Sequence, residues 1–342
     1  MRPDWVLAQC ISLNKAKGGG MRILVTGATG SLGSAVMRRL KSQGHEVIGI
    51  GRSKSSLDKL KAQGFVVRHC DLLDRSTLKS CMKGQETVIH CAAYATPFGR
   101  KKLFFETNVT GLQNLFDAAM TVKKCRMIVI SSASVFDGNE RQTPHADDTP
   151  PPHMRPKHPY GASKYDAERL ALTMPAHTWI GLRPRAVFGP GDQTLIPRLN
   201  RLIGKNSYTV IGDGETRIDV TCLSNFLDAV ECAIEAPLES MGRFYNISNA
   251  DPRRICDILK AYGEIHGATL QRRSIPHFPV AALAFASVAL ASMIPGKPWE
   301  PKLTPYGLRQ LTQTLHLDIS GAKKALGWAP LLSFEQGLEA LK

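Results

Sequence analysis

The chain has 342 residues, and its 44 lysines and arginines against 29 aspartates and glutamates give a net charge of +15. That charge favours acidic ligands (phosphates, carboxylates or an anionic membrane surface); no arginine-rich run or recognition motif accompanies it, so no nucleic-acid partner is expected. Hydrophobic residues at 43% and charged residues at 21% allow a sizeable core, and eight cysteines without a CxxC pair or metal-ligand spacing exclude a metal site and suit a reducing cytoplasm.

Residues 1–20 do not fit a folded domain. Residues 5–13 are briefly apolar, but Asp4 precedes them, Gln9 interrupts them and no small-residue cleavage site follows, so a secretory signal is not expected. The segment is read as a disordered extension. Residues 22–26 form a short aliphatic strand that runs directly into Gly27-Ala28-Thr29-Gly30-Ser31-Leu32-Gly33 and then into a helical pattern. A glycine-rich turn placed there lets the backbone approach a pyrophosphate and seats the phosphates on free N–H groups at the helix N-terminus. Gly27 is assigned the tight turn, Gly30 the close approach and Gly33 the packing of helix on strand; Thr29, Ser31 and Leu32 complete this cofactor contact.

Residues 45–51 read as the second strand. A carboxylate at its end would bind the ribose hydroxyls of NAD and repel a 2′-phosphate; the chain instead offers Arg52 and Ser53, which suit NADP(H) over NAD(H). A third strand over 64–70 leads to Asp71 and Leu72. Asp71 serves either as acceptor for the adenine amino group or as N-cap of the following helix. Residues 87–93 form a fourth buried strand that opens into Cys91, Ala92 and Ala93, small enough to leave room for cofactor. A helix begins near Asn108, and 127–130 is the fifth strand. Strands alternating with helices at this spacing predict an α/β fold with a doubly wound parallel sheet covered on both faces.

Catalytic residues are expected where the fifth strand ends, at residues 131–136. The proline-rich loop over 143–159 is too long for a simple connection and reads as a flap over the site. It delivers Tyr160 and Lys164 at the start of a helix, on one face at i and i+4. A nearby ammonium favours the phenolate, so Tyr160 would exchange a proton with a substrate hydroxyl or carbonyl. Ser132 would hydrogen-bond the same oxygen, and Lys164 would also hold the nicotinamide ribose.

TGATGSLG from Thr26, DLLD at Asp71, HCAA at His90, NVTG at Asn108, SSASVF, YGASK, RPRAVFGPGD from Arg183, GDGETRIDV, YNIS and LGWAP together resemble the extended short-chain dehydrogenase/reductases, over residues 21–342. The resemblance implies a Rossmann-type fold with a smaller C-terminal substrate lobe, and a Ser132–Tyr160–Lys164 triad with Asn108 at a water-relay position. It also implies cofactor contacts at Pro184 and Val187, and a homodimer through the helices after the fourth and fifth strands. Alignment on Val135 selects Ser132 over Ser131 and Ser134. Asn225, where nucleotide-sugar epimerases usually carry aspartate, and Phe136, where many carry tyrosine, bring the chain closer to the 3β-hydroxysteroid dehydrogenase and 3-keto acid branch.

Residues 280–294 are apolar on nearly every face, with Ser287 and Ser292 the only polar interruptions. A helix this long spans about 22 Å, short of the roughly 30 Å hydrocarbon core. It is read either as a buried helix of the substrate lobe, or as a wall for a lipid-like substrate or a peripheral membrane contact, with Arg272, Arg273, Lys297, Trp299 and Lys302 facing anionic lipid. The sequence reading therefore divides the chain into an NADP-binding domain (21–184, with 223–250 returning to it) and a substrate lobe (185–222 and 251–342). The expected protein is a cytoplasmic or membrane-peripheral NAD(P)-dependent dehydrogenase/reductase acting on a hydrophobic, carboxylated secondary alcohol or ketone. A nucleotide-sugar epimerase with tightly bound NAD is the alternative, and a non-catalytic dinucleotide-sensing scaffold a second one.

Overall fold

Short apolar runs flanked by helices are satisfied when both of their faces are covered, and seven of them assemble side by side here. The computed structural model describes residues 20–138, 144–146, 154–266, 270–293 and 301–342. Of the extension expected over 1–20, all but Gly20 lies outside the described residues, as do 143 and 147–153 of the loop expected to form a flap.

Strands β1 (Arg22–Thr26), β2 (Glu46–Gly51), β3 (Val66–His69), β4 (Thr87–His90), β5 (Arg126–Ile130), β6 (Trp179–Pro184) and, later in the chain, β11 (Phe244–Ile247) form one sheet in the order β11-β6-β5-β4-β1-β2-β3. Every neighbouring pair is parallel. From β1 the chain winds outward to β3, then crosses to β4 on the other side. The order therefore reverses between β1 and β4, and a crevice opens beyond their carboxyl ends. Along β1, Ile23 and Val25 enter the core on one face and Leu24 the core on the other. The predicted third strand is shorter than 64–70 because β3 is an edge: Val66 is 58% exposed there.

Helices α1 (Ser31–Ser42), α2 (Lys54–Ala62), α3 (Arg75–Met82), α4 (Lys101–Phe105), α5 (Gly111–Ala119) and α6 (Pro159–Ala171) make the crossovers. The helix expected to begin near Asn108 starts earlier, at Lys101, and a π-turn over Glu106–Thr110 joins α4 to α5. That wide turn carries Asn108 inward.

The second lobe surrounds a third core that includes Leu199 of α7 (Leu195–Leu202), Leu259 of α9 (Ile255–Glu264) and Phe334 of α13 (Phe334–Glu339). Small two-stranded pairings stiffen it: β7 (Val187–Phe188) with β10 (Thr221–Cys222), β8 (Ser207–Ile211) with β13 (Gln271–Ile275), and β9 (Arg217–Ile218) with β12 (Arg253–Arg254). Helix α8 (Leu223–Glu235) covers β5 and β6. Near the C-terminus, α12 (Ser320–Leu326) packs on β11, and Ile319, Ala322, Leu326 and Trp328 enter the sheet's own core. Assigning all of 251–342 to the substrate lobe thus needs this exception.

Asn225 makes that return possible. Its side chain is fully buried; Oδ1 accepts the N–H groups of Leu331 and Leu332, and Nδ2 donates to Leu332 O and Asn249 Oδ1. Only an amide can donate and accept in this way.

Helix α10 (His277–Met293) departs from the buried-helix reading. Only Ala284 and Ala291 are buried, whereas Phe278, Phe285 and Met293 are 82%, 66% and 78% exposed. Small residues make the contact: Ser287 Oγ donates to Leu303 O at 2.7 Å, and the helix leans on α11 (Pro305–Thr312). No α10 residue lines either cavity described below, so the helix is not a wall of the site. Among the described residues, no helix is long and apolar enough to cross a membrane. Residue 294 lies outside them.

Candidate functional site

At the switch point the chain is built from bare backbone. Gly27 has φ +66°, and a Cβ on it would stand 2.7 Å from the Ala92 backbone, so the end of β1 and the end of β4 touch there. A Cβ on Gly33 would run into the Gly27 carbonyl and Ala28. Gly30 donates its N–H to Gly27 O at 2.9 Å and stands at the N-cap of α1 with no side chain to cap the first turn. The free N–H groups of that turn are therefore available to an anion.

Two cavities meet at this turn. The smaller, 310 Å³, is lined by Thr29, Arg52, Ser53, Asp71, Leu72 and Ala92; the larger, 440 Å³, by Ser31, Leu32 and Gly33 on one side and by Ser132, Tyr160, Lys164, Pro184 and Val187 on the other. Gly27, Gly30, Cys91 and Ala93 border both. Two connected cavities on either side of a side-chain-free cradle fit the two halves of a dinucleotide. Asp71 does not cap a helix: Asp74 caps α3, accepting from Ser76 and Thr77 N–H, while Asp71 stays at the smaller cavity.

Asn108 lines neither cavity. It is buried behind them, where its amide holds the Tyr94 N–H at 2.7 Å and donates to Ser163 Oγ at 2.8 Å. The three candidate serines separate cleanly. Ser131 donates to Glu168, which is locked in a buried pair with Arg183 beneath the catalytic helix. The Ser134 hydroxyl is buried without a partner among the described residues. Ser132 shares the lining of the larger cavity with Tyr160, and its hydroxyl favours the Tyr160 phenolate.

Burial dominates the charges. It raises the Tyr160 phenol above its ordinary value, against the Ser132 hydrogen bond and the Arg198 cation, which both favour the phenolate. Lys164, whose Nζ donates to Ile130 O at 2.8 Å, is pushed down to about 8 by desolvation, with Glu168 and Cys91 opposing. Arg198, a residue not expected at the site, is the cation that acts on Tyr160 here. His90, buried against Thr26 at 2.8 Å, is pushed down to about 3 by desolvation and then by Lys164, so it stays neutral.

Among the lining residues that sequence reasoning missed are Arg185, Arg198, Tyr306 and Gln310. They come from the second lobe, where no periodicity says which face looks into the cleft. His158 stacks on Tyr306 with ring centroids 3.8 Å apart, and Tyr306 meets Tyr160 edge-on at 6.4 Å, so an aromatic wall stands beside the phenol. In the folded chain Ala186, next to Arg185, holds φ +43°, and non-glycine residues in that region cluster at functional sites.

Residues 23–248 match the family described as NAD dependent epimerase/dehydratase. The chain belongs to that family. It is an NAD-dependent enzyme of the extended short-chain dehydrogenase/reductase type. The 2-alkyl-3-oxoalkanoate reductase of Stenotrophomonas maltophilia is 29% identical, with 94% of this chain and 98% of that protein aligned. Human sterol-4-alpha-carboxylate 3-dehydrogenase, decarboxylating, is 28% identical over 96% of this chain and 88% of its own. Among solved structures, UDP-glucuronic acid 4-epimerase from Bacillus cereus in complex with NAD superposes with a TM-score of 0.71 at 24% identity, covering 94% of each chain. That likeness concerns the fold.

Proposed function

We propose that the enzyme transfers hydride reversibly between a nicotinamide and the secondary alcohol or ketone of a hydrophobic, carboxylated substrate, a 3-hydroxy or 3-oxo acid of lipid origin or a steroid. The observation that carries this is that Ser132, Tyr160 and Lys164 line one cavity together with the glycine turn. A bound nicotinamide supplies the hydride acceptor or donor. Tyr160 moves the proton on the substrate oxygen, Ser132 holds that oxygen, and Lys164 lies below to take the ribose and steady the charge. Asn108, through Ser163 and the Tyr94 backbone, positions the wall behind them. The named relatives act on a 3-oxoalkanoate and a sterol carboxylate, which supports both the hydrophobic body and the acid group. A screen of long-chain 3-hydroxy acids, 3β-hydroxysteroids and UDP-sugars, followed by absorbance of the reduced nicotinamide, tests the reading. Turnover of a UDP-sugar with no released reduced cofactor would replace it with the epimerase alternative.

NADP(H) is preferred in this reading, because Arg52 and Ser53 border the smaller cavity and no carboxylate closes the end of β2. Replacing Arg52→Asp should turn the ratio of kcat/KM for NADPH over NADH by about tenfold towards NADH, through loss of one ion pair. An unchanged ratio would remove Arg52 from that role.

Helix α10 supplies a peripheral membrane contact in the same reading. Its outward side is apolar, exposed Arg272 and Arg273 precede it in the chain and exposed Lys302 follows it, a combination complementary to an anionic lipid surface. Co-sedimentation with phosphatidylglycerol vesicles should be lost in the Phe285→Asp, Leu290→Asp double variant. Binding that survives it excludes the helix. Sedimentation velocity of the same variant, and of one altered on α5, tells this contact from the homodimer expected through α5 and α6.

A further inference from the structure

Two guanidinium groups face the catalytic end of the cleft with no acid paired to them. Arg185, in the turn after β6, is 7% exposed; one terminal nitrogen donates to Gln310 Oε1, and its Nε has no hydrogen-bond partner among the described residues. Arg198 reaches the same cavity from α7 and makes no hydrogen bond or ion pair among the described residues. Its charge acts on Tyr160, Tyr306 and His158 together, which places it on the substrate side of the cleft. The acids nearby are engaged. Asp137 pairs with Arg309 at 3.3 Å, Asp192 accepts the N–H groups of Leu195 and Ile196, and Asp219 accepts the Leu317 N–H at 2.7 Å.

Arg185 is buried and Arg198 half-buried; Asp219 and Asp137 act on Arg185 without forming an ion pair with it, and cations left unpaired at a cleft concentrate where a ligand brings the missing charge. We infer that Arg185 and Arg198 form an anion clamp for the carboxylate of the substrate, next to the carbon whose oxygen Tyr160 and Ser132 hold. The inference rests on the proposed hydride transfer for the identity of the ligand. Two planar forks approaching from different elements fix the plane of a carboxylate as one lysine would not. The acid group thereby sets which face of the reacting carbon looks towards the nicotinamide. The aromatic wall of His158 and Tyr306 leaves the rest of the substrate an apolar bed.

The test reads binding, so it does not depend on turnover. Isothermal calorimetry on the full chain saturated with reduced cofactor, towards which a hydroxy acid cannot react, compares a long-chain 2-alkyl-3-hydroxy acid with its methyl ester. The acid should bind about ten- to a hundredfold more tightly, as expected for hydrogen bonds to a charged group. In Arg198→Leu this ratio should collapse towards unity, and in Arg198→Lys part of it should return, with cofactor affinity measured separately and unaltered. Arg185→Gln should lower the ratio in the same way. Equal binding of acid and ester by the unaltered protein overturns the clamp. So does an equal weakening of cofactor and acid in the variants, which would assign the guanidinium groups to the cofactor pyrophosphate. Displacement by UDP with no affinity for the acid overturns the clamp and the proposed substrate together. Acid-selective binding without any oxidation of the acid by oxidised cofactor would leave the clamp and overturn the proposed reaction.

Discussion

The two walls of the cleft are made by different means. On the sheet side the site consists of strand ends and bare backbone: Gly27 against Ala92, Gly33 over Gly27, and Lys164 Nζ on the Ile130 carbonyl. On the lobe side it consists of long side chains, Arg185, Arg198, Tyr306 and Gln310, projected from a turn and two short helices. The first wall suits a ligand of invariant shape, because backbone positions cannot change without moving the sheet. The second can be rebuilt residue by residue. In the proposed reading, cofactor binding belongs to the wall that is rigid, and choice of substrate to the wall that is adjustable.

Removing the proton-transfer group gives the largest effect. Tyr160→Phe should lower turnover by about 10²–10⁴-fold, the usual range for a general acid or base, with nucleotide binding retained in a fluorescence titration. Loss of both together would place Tyr160 in the cofactor wall. Next comes the cradle. Gly33→Val should weaken nucleotide binding by about a hundredfold or more, since α1 must shift off the turn. A variant that bound normally would show that the wall yields.

Lys164→Met divides function from stability. Desolvation lowers the folded-state value of this ammonium from 10.5 to about 8, so between those limits the unfolded chain holds more protons and the natural protein gains stability as pH rises. The full penalty, about 3 kcal/mol, applies below about pH 8. The variant should therefore be inactive yet more resistant to urea at neutral pH, with its advantage shrinking from about pH 8 to 10.5. A constant difference across that window would mean that the lysine is not held as a desolvated cation. The smallest effect is expected at α10: Phe285→Asp should change stability by less than about 0.5 kcal/mol, because the residue touches water in the folded chain. A larger loss would show that the helix is covered.

The contrast between the walls also explains what could be read from residue order. The strands were legible because each apolar run is buried on both faces, a condition local to the run; β3 was overcalled, since an edge relaxes that condition, and so was β4, which ends at His90 before Cys91, Ala92 and Ala93 turn out to line the cavities. The glycine turn and the Tyr160–Lys164 spacing were legible for the same reason, being set within one turn of chain. The π-turn at Glu106–Thr110 was not, as no residue pattern distinguishes it from an ordinary helix start. Whether α10 is covered depends on what lies across from it, and 280–294 reads the same either way. Arg198 was invisible because only the folding of 185–222 against 301–312 turns it towards Tyr160.

Asn225 carries a consequence for how the molecule comes apart. One amide joins α8, which rests on the sheet, to Leu331 and Leu332 and, through Asn249, to the strand ends of the other lobe. Peeling the C-terminal tail away would strand these groups in a dry interior, so heat should melt both halves in one calorimetric peak. An aspartate there, offering no donor to Leu332, should split that peak in two.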